Sequence, residues 1–104
     1  MSKIFITYKL KANITPQAFE TWTRTVDYPA MRGLTRVSSF VTHRAVRHLL
    51  DQTAPSMAYI EEFNVPDLDG FMREDFPSQS VQKILGEFMG FVENPEFIVA
   101  EEII

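Results

Sequence analysis

One pattern runs twice through this chain. "IFITYKLKANITPQAFETW" and, later, "YIEEFNVPDLDGFM" each pass from alternating apolar residues, through a proline, into helix-like spacing. The echo is one of pattern and not of identity. In the first copy Lys3–Lys11 is rich in β-branched and aromatic residues, with Ile4, Ile6, Tyr8 and Leu10 on one face. Thr15 then fits a helix N-cap and Pro16 the first helical position. Phe19, Trp22 and Val26 fall on one stripe of that helix. Pro29 disfavours helical geometry at Tyr28, so the helix is expected to stop near Asp27.

Arg36–Leu49 reads as a second strand, closed by the turn residues "DQTAPS", and Met57–Val65 as a third. A short helical piece, "DLDGFMRED", is broken by "FPS". The longer helix "SQSVQKILGEFMGFV" carries Val81, Ile84, Leu85, Phe88 and Val92 on one side. Asn94-Pro95 is expected to end it, and "EFIVAEEII" forms a last strand. The order is β-α-β-β-α-β. Two split β-α-β units of this kind predict an α+β, ferredoxin-like domain, with a four-stranded antiparallel sheet and both helices on one face. At 104 residues the chain has room for one such domain, residues 1–104.

Composition narrows the partners. Cysteine is absent, which excludes thiol catalysis, disulfides and thiolate metal sites and fits a cytoplasmic setting. The net charge of −4 and the scattered Lys and Arg argue against nucleic acid. The apolar run near the start is too short for a signal-peptide core, and none approaches a membrane span. The strands do not alternate cleanly between apolar and polar. Phe5 sits between Ile4 and Ile6, Ile60 follows Tyr59, Phe40 points opposite Val41, and Ile98 and Ala100 interleave with Phe97 and Val99. A sheet apolar on both faces needs a second cover, and a homodimer packed sheet on sheet supplies it.

The strings "MSKIFITYKLK", "DYPAMRGLTRV", "FNVPDLDGF" and "GEFMGFVENPEFIVAE" resemble the REDY-like HapK family, over nearly the whole length from Ser2 to about Glu102. That family is encoded with the biosynthesis of prodigiosin-type tripyrrole pigments and is grouped with the dimeric α+β barrels. The resemblance implies a role in making a methoxy-bipyrrole or related pyrrole intermediate, in a cyclisation or condensation step. It brings no fixed set of catalytic residues. It also implies that the pocket lies between helices and sheet within each protomer.

The two halves align Ile4 with Tyr59, Ile6 with Glu61 and Tyr8 with Phe63, which points Glu61 into an aromatic core. A carboxyl buried there has a raised pKa and serves as a general acid or base; near the sheet edge it would merely reach water. His43 is a second acid–base candidate, whose face depends on hairpin register. Asp27 is a third. At a helix C-terminus an acid opposes the helix dipole and needs a partner, such as Arg24, Arg32 or a ligand N–H; as a plain turn residue it would serve the chain before Tyr28-Pro29. The expected cleft is walled by Trp22, Tyr59 and Phe88, with Tyr8 and Tyr28 as further substrate contacts, Glu61 inside, and His43 and Asp27 near the mouth. No metal, flavin, nicotinamide or heme motif is present, so no cofactor is expected. The rival reading is a binding protein that shields a reactive pathway intermediate.

Overall fold

The structure, a computed structural model, describes residues 2–104. Strands β1 (Ser2–Leu10), β2 (Ser39–Arg44), β3 (Tyr59–Asn64) and β4 (Val92–Glu101) form one sheet in the order β2-β3-β1-β4, every neighbouring pair antiparallel. This is the expected ferredoxin-like plan. The register sets Ile6 opposite both Glu61 and Phe97, and Phe5 opposite both Glu62 and Ile98. Residues of even number in β1 and odd number in β3 and in β4 beyond Pro95 therefore share one face.

Three helical segments cover that face. α1 spans residues 16–32, α2 residues 68–75, and α3 is Gln79–Phe91. Thr15 caps α1 through its hydroxyl, which accepts from the Ala18 N–H, and Ser78 caps α3 in the same way. α2 is pinned by Arg36, whose guanidinium reaches Asp67, Glu74 and Asp75. No helix among the described residues is long and apolar enough to cross a membrane.

Three boundaries differ from the sequence expectation. α1 does not stop at Asp27. After Pro16–Trp22 it widens into a π-helical turn, Thr23–Asp27, and resumes as Tyr28–Arg32. Proline inside an α-helix collides with the carbonyl four residues back and removes a hydrogen bond. The wider turn, in which the Tyr28 N–H donates to the Thr23 carbonyl, lets the helix run on through Pro29. α2 also widens into a π turn, Phe71–Asp75, but ends there instead of continuing through Pro77. The two wide turns end in matching strings, Asp27-Tyr28-Pro29 and Asp75-Phe76-Pro77.

At the other boundaries, β2 covers only the middle of Arg36–Leu49, and Asn94-Pro95 lies within β4 instead of before it. Pairing passes from Thr7–Glu96 to Lys9–Glu93, so Asn94 and Pro95 form a bulge beside Tyr8. Asn94 takes a left-handed backbone, φ 54°, which asparagine tolerates.

Candidate functional site

Between sheet and helices lies a cavity of about 420 Å³, and only two of its sixteen lining residues, Asp27 and Glu61, are polar. Phe63, Phe71, Phe76, Phe88 and Phe97 contribute most of the aromatic wall. Glu61 comes from the middle of β3 and is 2% exposed, and Asp27, from the π turn of α1, is 4% exposed. The wide turn is what keeps Asp27 inward. Along α1 the buried side chains Phe19, Thr23, Asp27 and Met31 fall four apart, with Trp22 buried beside Thr23. On a uniform α-helix each step of four drifts by roughly 40°, and a π turn takes up much of that drift.

Burial sets the chemistry of both acids. It pushes the Asp27 carboxyl up to about 7. For Glu61 burial is again the main cause, the nearby Asp27 charge adds to it, and the Tyr8 hydroxyl bond opposes it, leaving the carboxyl at about 8. Tyr8, 1% exposed, donates its hydroxyl to Glu61 Oε2, and its own pKa is driven upward by burial and by the adjoining carboxylate. Among the described residues no hydrogen bond or ion pair reaches the Asp27 carboxyl. The expected partners are engaged elsewhere: Arg24 lies 4.0 Å from Glu20, and Arg32 donates to the Phe40 carbonyl. No Lys, Arg or His lines the cavity. No cluster of His, Cys, Asp or Glu arranged for a metal ion occurs among the described residues.

The other expected site residues divide. Phe88 lines the cavity. Trp22, Tyr59 and Tyr8 do not; they form the packed layer behind it, Tyr8 meeting Phe88 edge-on at 4.9 Å and Tyr59 lying parallel to Tyr8 at 5.7 Å. Their polar atoms are directed outward or sideways: Trp22 Nε1 donates to Glu87 at 2.8 Å and the Tyr59 hydroxyl to Glu20 at 2.7 Å. His43 is not at the mouth. It pairs with Ile60, so it stands on the opposite face of the sheet from Glu61, and it is exposed. Asp27 is deep in the cavity and not at its rim, because the helix does not end there.

Tyr28 has a different task from the one expected. Its hydroxyl accepts from the Thr42 N–H at 2.9 Å, and the Arg32 guanidinium stacks 3.6 Å above its ring. With Arg32 bonded to the Phe40 carbonyl, the two side chains cap the free edge of β2, where unpaired backbone groups would invite another strand. The cavity residues that sequence reading missed include Phe63 and Phe97, which share parity with Glu61 across the sheet. Phe71 opens the second π turn and Phe76 and Met31 follow the two turns, and the repeated Asp-aromatic-Pro string was their signal.

Similarity to known proteins agrees with this architecture. The crystal structure of HapK from Hahella chejuensis matches with a TM-score of 0.78 and 26% identity, covering 99% of this chain and 93% of that one. An EthD family protein from Bacillus halodurans matches with a TM-score of 0.79 at 15% identity over 99% of both chains. A dimeric ferredoxin-like protein of unknown function from Thermobifida fusca matches with a TM-score of 0.71 at 13% identity, covering 97% of this chain and 90% of that one. No curated protein matches the sequence. The family model for REDY-like protein HapK matches residues 2–103, and the chain belongs to that family.

Proposed function

We propose that this protein is a small cofactor-free enzyme of prodigiosin-type pyrrole pigment biosynthesis, using Asp27 and Glu61 as an acid–base pair to cyclise or condense a pyrrole or bipyrrole intermediate. The observation that carries the reading is the pair itself: two carboxyls with ordinary pKa values near 4, raised to about 7 and about 8 inside one apolar cavity. Near neutral pH they hold about one proton between them, with Glu61 the acid and Asp27 the base. Family membership supports the pathway.

In a condensation at a carbinol carbon, Glu61 protonates the departing hydroxyl, which leaves as water. The resulting cation is attacked by a ring carbon of the second reactant, and Asp27 removes the proton from that carbon to restore aromaticity. One carbon–carbon bond forms, one water is lost, and passage of the proton from Asp27 back to Glu61 resets the pair. The oxidation state is unchanged, so no redox cofactor is required. Tyr8 holds the Glu61 carboxyl in place through its buried hydroxyl bond. His43 plays no part in this scheme.

The test is turnover of pathway intermediates by the purified protein, followed by mass spectrometry, with Glu61→Gln and Asp27→Asn beside the wild type. Loss of a general acid or base lowers the rate by about 10²–10⁴-fold. Wild-type rates in both variants would remove the assignment. A second reading, a shelter for a reactive intermediate, draws on the fourteen apolar residues of the cavity, which exclude water but offer few groups to orient a substrate. Binding of an intermediate with no turnover would favour it.

A further inference from the structure

We propose that the cavity selects a flat, singly positive nitrogen heteroaromatic over its neutral and anionic isosteres. The inference rests on the cavity being the functional site, and it adds the charge of the preferred occupant.

The argument is a charge inventory. Asp27 comes from α1 and Glu61 from β3, and both face the cavity. From β1 the facing groups are Ile4 and Ile6, with the Tyr8 hydroxyl behind, bonded to Glu61. α3, α2 and β4 present only Phe, Met, Val, Ile and Leu. Lys3 is engaged with Glu62, Arg36 with the acids of α2, Arg44 with Glu20, and Arg32 with the β2 edge, while Arg73 of α2 and Lys83 of α3 are exposed and do not line the cavity. Two buried acids thus share an apolar space with no internal cation.

A carboxylate taken out of water without a partner is costly, and a buried cation held against it recovers part of that cost. An organic monocation whose charge is spread over a ring satisfies the acids while its carbon atoms fill the Phe and Met walls. An anion would require both acids to be protonated and would still meet no donor except their own hydroxyls. A neutral isostere gains the apolar contact alone.

The sign of the pH dependence follows. A cation favours the ionised acids, so its affinity rises as pH increases through the range where Asp27 and Glu61 lose their protons, and it levels off above. A neutral ligand shows no such rise. An anion binds, if at all, only at low pH.

The probes are N-methylquinolinium, 1-methylnaphthalene and 1-naphthoate, nearly equal in shape and positive, neutral and negative in charge, titrated by calorimetry into the whole protein. We expect the cation to bind at least about tenfold tighter than the neutral probe near pH 8.5, and to lose that advantage near pH 5.5. In Asp27→Asn/Glu61→Gln the cation and neutral probe should bind alike, and the neutral probe's retained affinity shows that the cavity is still formed. Leu85→Trp, which fills the cavity, should lose both.

Equal or tighter binding of the neutral probe to the wild type near pH 8.5 would overturn the charge selection. If Glu61→Gln nonetheless abolishes turnover, the acid–base function stands without it. Cation binding that survives Leu85→Trp would assign it to surface acids and also end the inference. If no probe binds and both single variants keep wild-type turnover, the cavity is not the site and both readings fall together.

Discussion

Glu20 and Asp27 lie on the same helix, seven residues apart, and ionise at opposite ends of the carboxylate range. The Arg44 guanidinium and the Tyr59 hydroxyl hold Glu20 at about 2, while burial without a partner holds Asp27 at about 7. Groups whose folded pKa is raised add stability that is complete below their unfolded value, and that stability is lost as pH climbs through the folded one. For Asp27 and Glu61 the window runs from about 4 to about 8. Glu20 acts in the other direction, its contribution lost as pH falls from its usual 4.5 toward 2. We therefore expect the melting temperature to fall from pH 5 to pH 8, and Asp27→Asn or Glu61→Gln to flatten that slope by on the order of 1 kcal/mol or more. A wild-type melting temperature that is level or rises over this range would refute it. Glu61 also illustrates why deleting a buried acid is not a simple gain. Glu61→Leu strands the Tyr8 hydroxyl, at a cost of about 1–3 kcal/mol that offsets the relief of removing the carboxyl. Tyr8→Phe/Glu61→Leu removes both ends, and at pH 7 denaturant unfolding should find it at least as stable as wild type.

The π turns place whole elements as well as single side chains. In both helical segments the turn ends on an aspartate followed by an aromatic residue and proline, yet the outcomes differ. α1 runs on past Pro29 and buries Asp27, whereas α2 ends and leaves Asp75 to pair with Arg36. α3 also carries two glycines that no packing contact requires. A Cβ built on Gly86 or Gly90 meets nothing within 4 Å, and neither glycine has a positive φ. Neither is a close-approach glycine. Gly86→Ala and Gly90→Ala should each raise unfolding free energy by about 0.5–1 kcal/mol, measured by denaturant titration. Alternation and proline punctuation made the strand–helix order and the inward direction of Glu61 legible before any coordinates. The path of the chain at Pro29 was not legible because a π turn, closed by the Tyr28 N–H on the Thr23 carbonyl, makes room that the rule for proline in an α-helix leaves out; the bulge at Asn94 and the face of His43 were not, because each is decided by pairing with a strand distant in sequence. A local rule about proline or register has no access to those partners.

Across the whole sheet, the helix-bearing face holds the cavity, with Met72, Met89, Phe97 and Val99 exposed at its rim, while the other face carries no helix. Phe5, Ile60, Val41 and Ile98 stand on that open face, one from each strand, with Val41 38% and Ile98 44% exposed. The Lys3–Glu62 ion pair, 2.5 Å long, and His43 share the surface with them. An apolar centre among polar neighbours fits a second copy laid sheet to sheet, and we propose a homodimer through this face. Light scattering at micromolar concentration should give twice the chain mass, and a monomer mass would refute the dimer. Phe5 lies directly across from Glu62, so the informative variant is Phe5→Lys. Its ammonium can pair with that carboxylate within the sheet, whereas Phe5→Glu would set like charges side by side and weaken the strand pairing itself. In a sheet-to-sheet dimer, however, Phe5→Lys places an extra charge in a dry interface, which costs several kcal/mol for two copies. The expected result is a folded monomer that still binds ligand between sheet and helices, since the Phe5 side chain is on the far face from Glu61. A variant that remains dimeric with its circular dichroism unchanged would place the dimer contact on another surface.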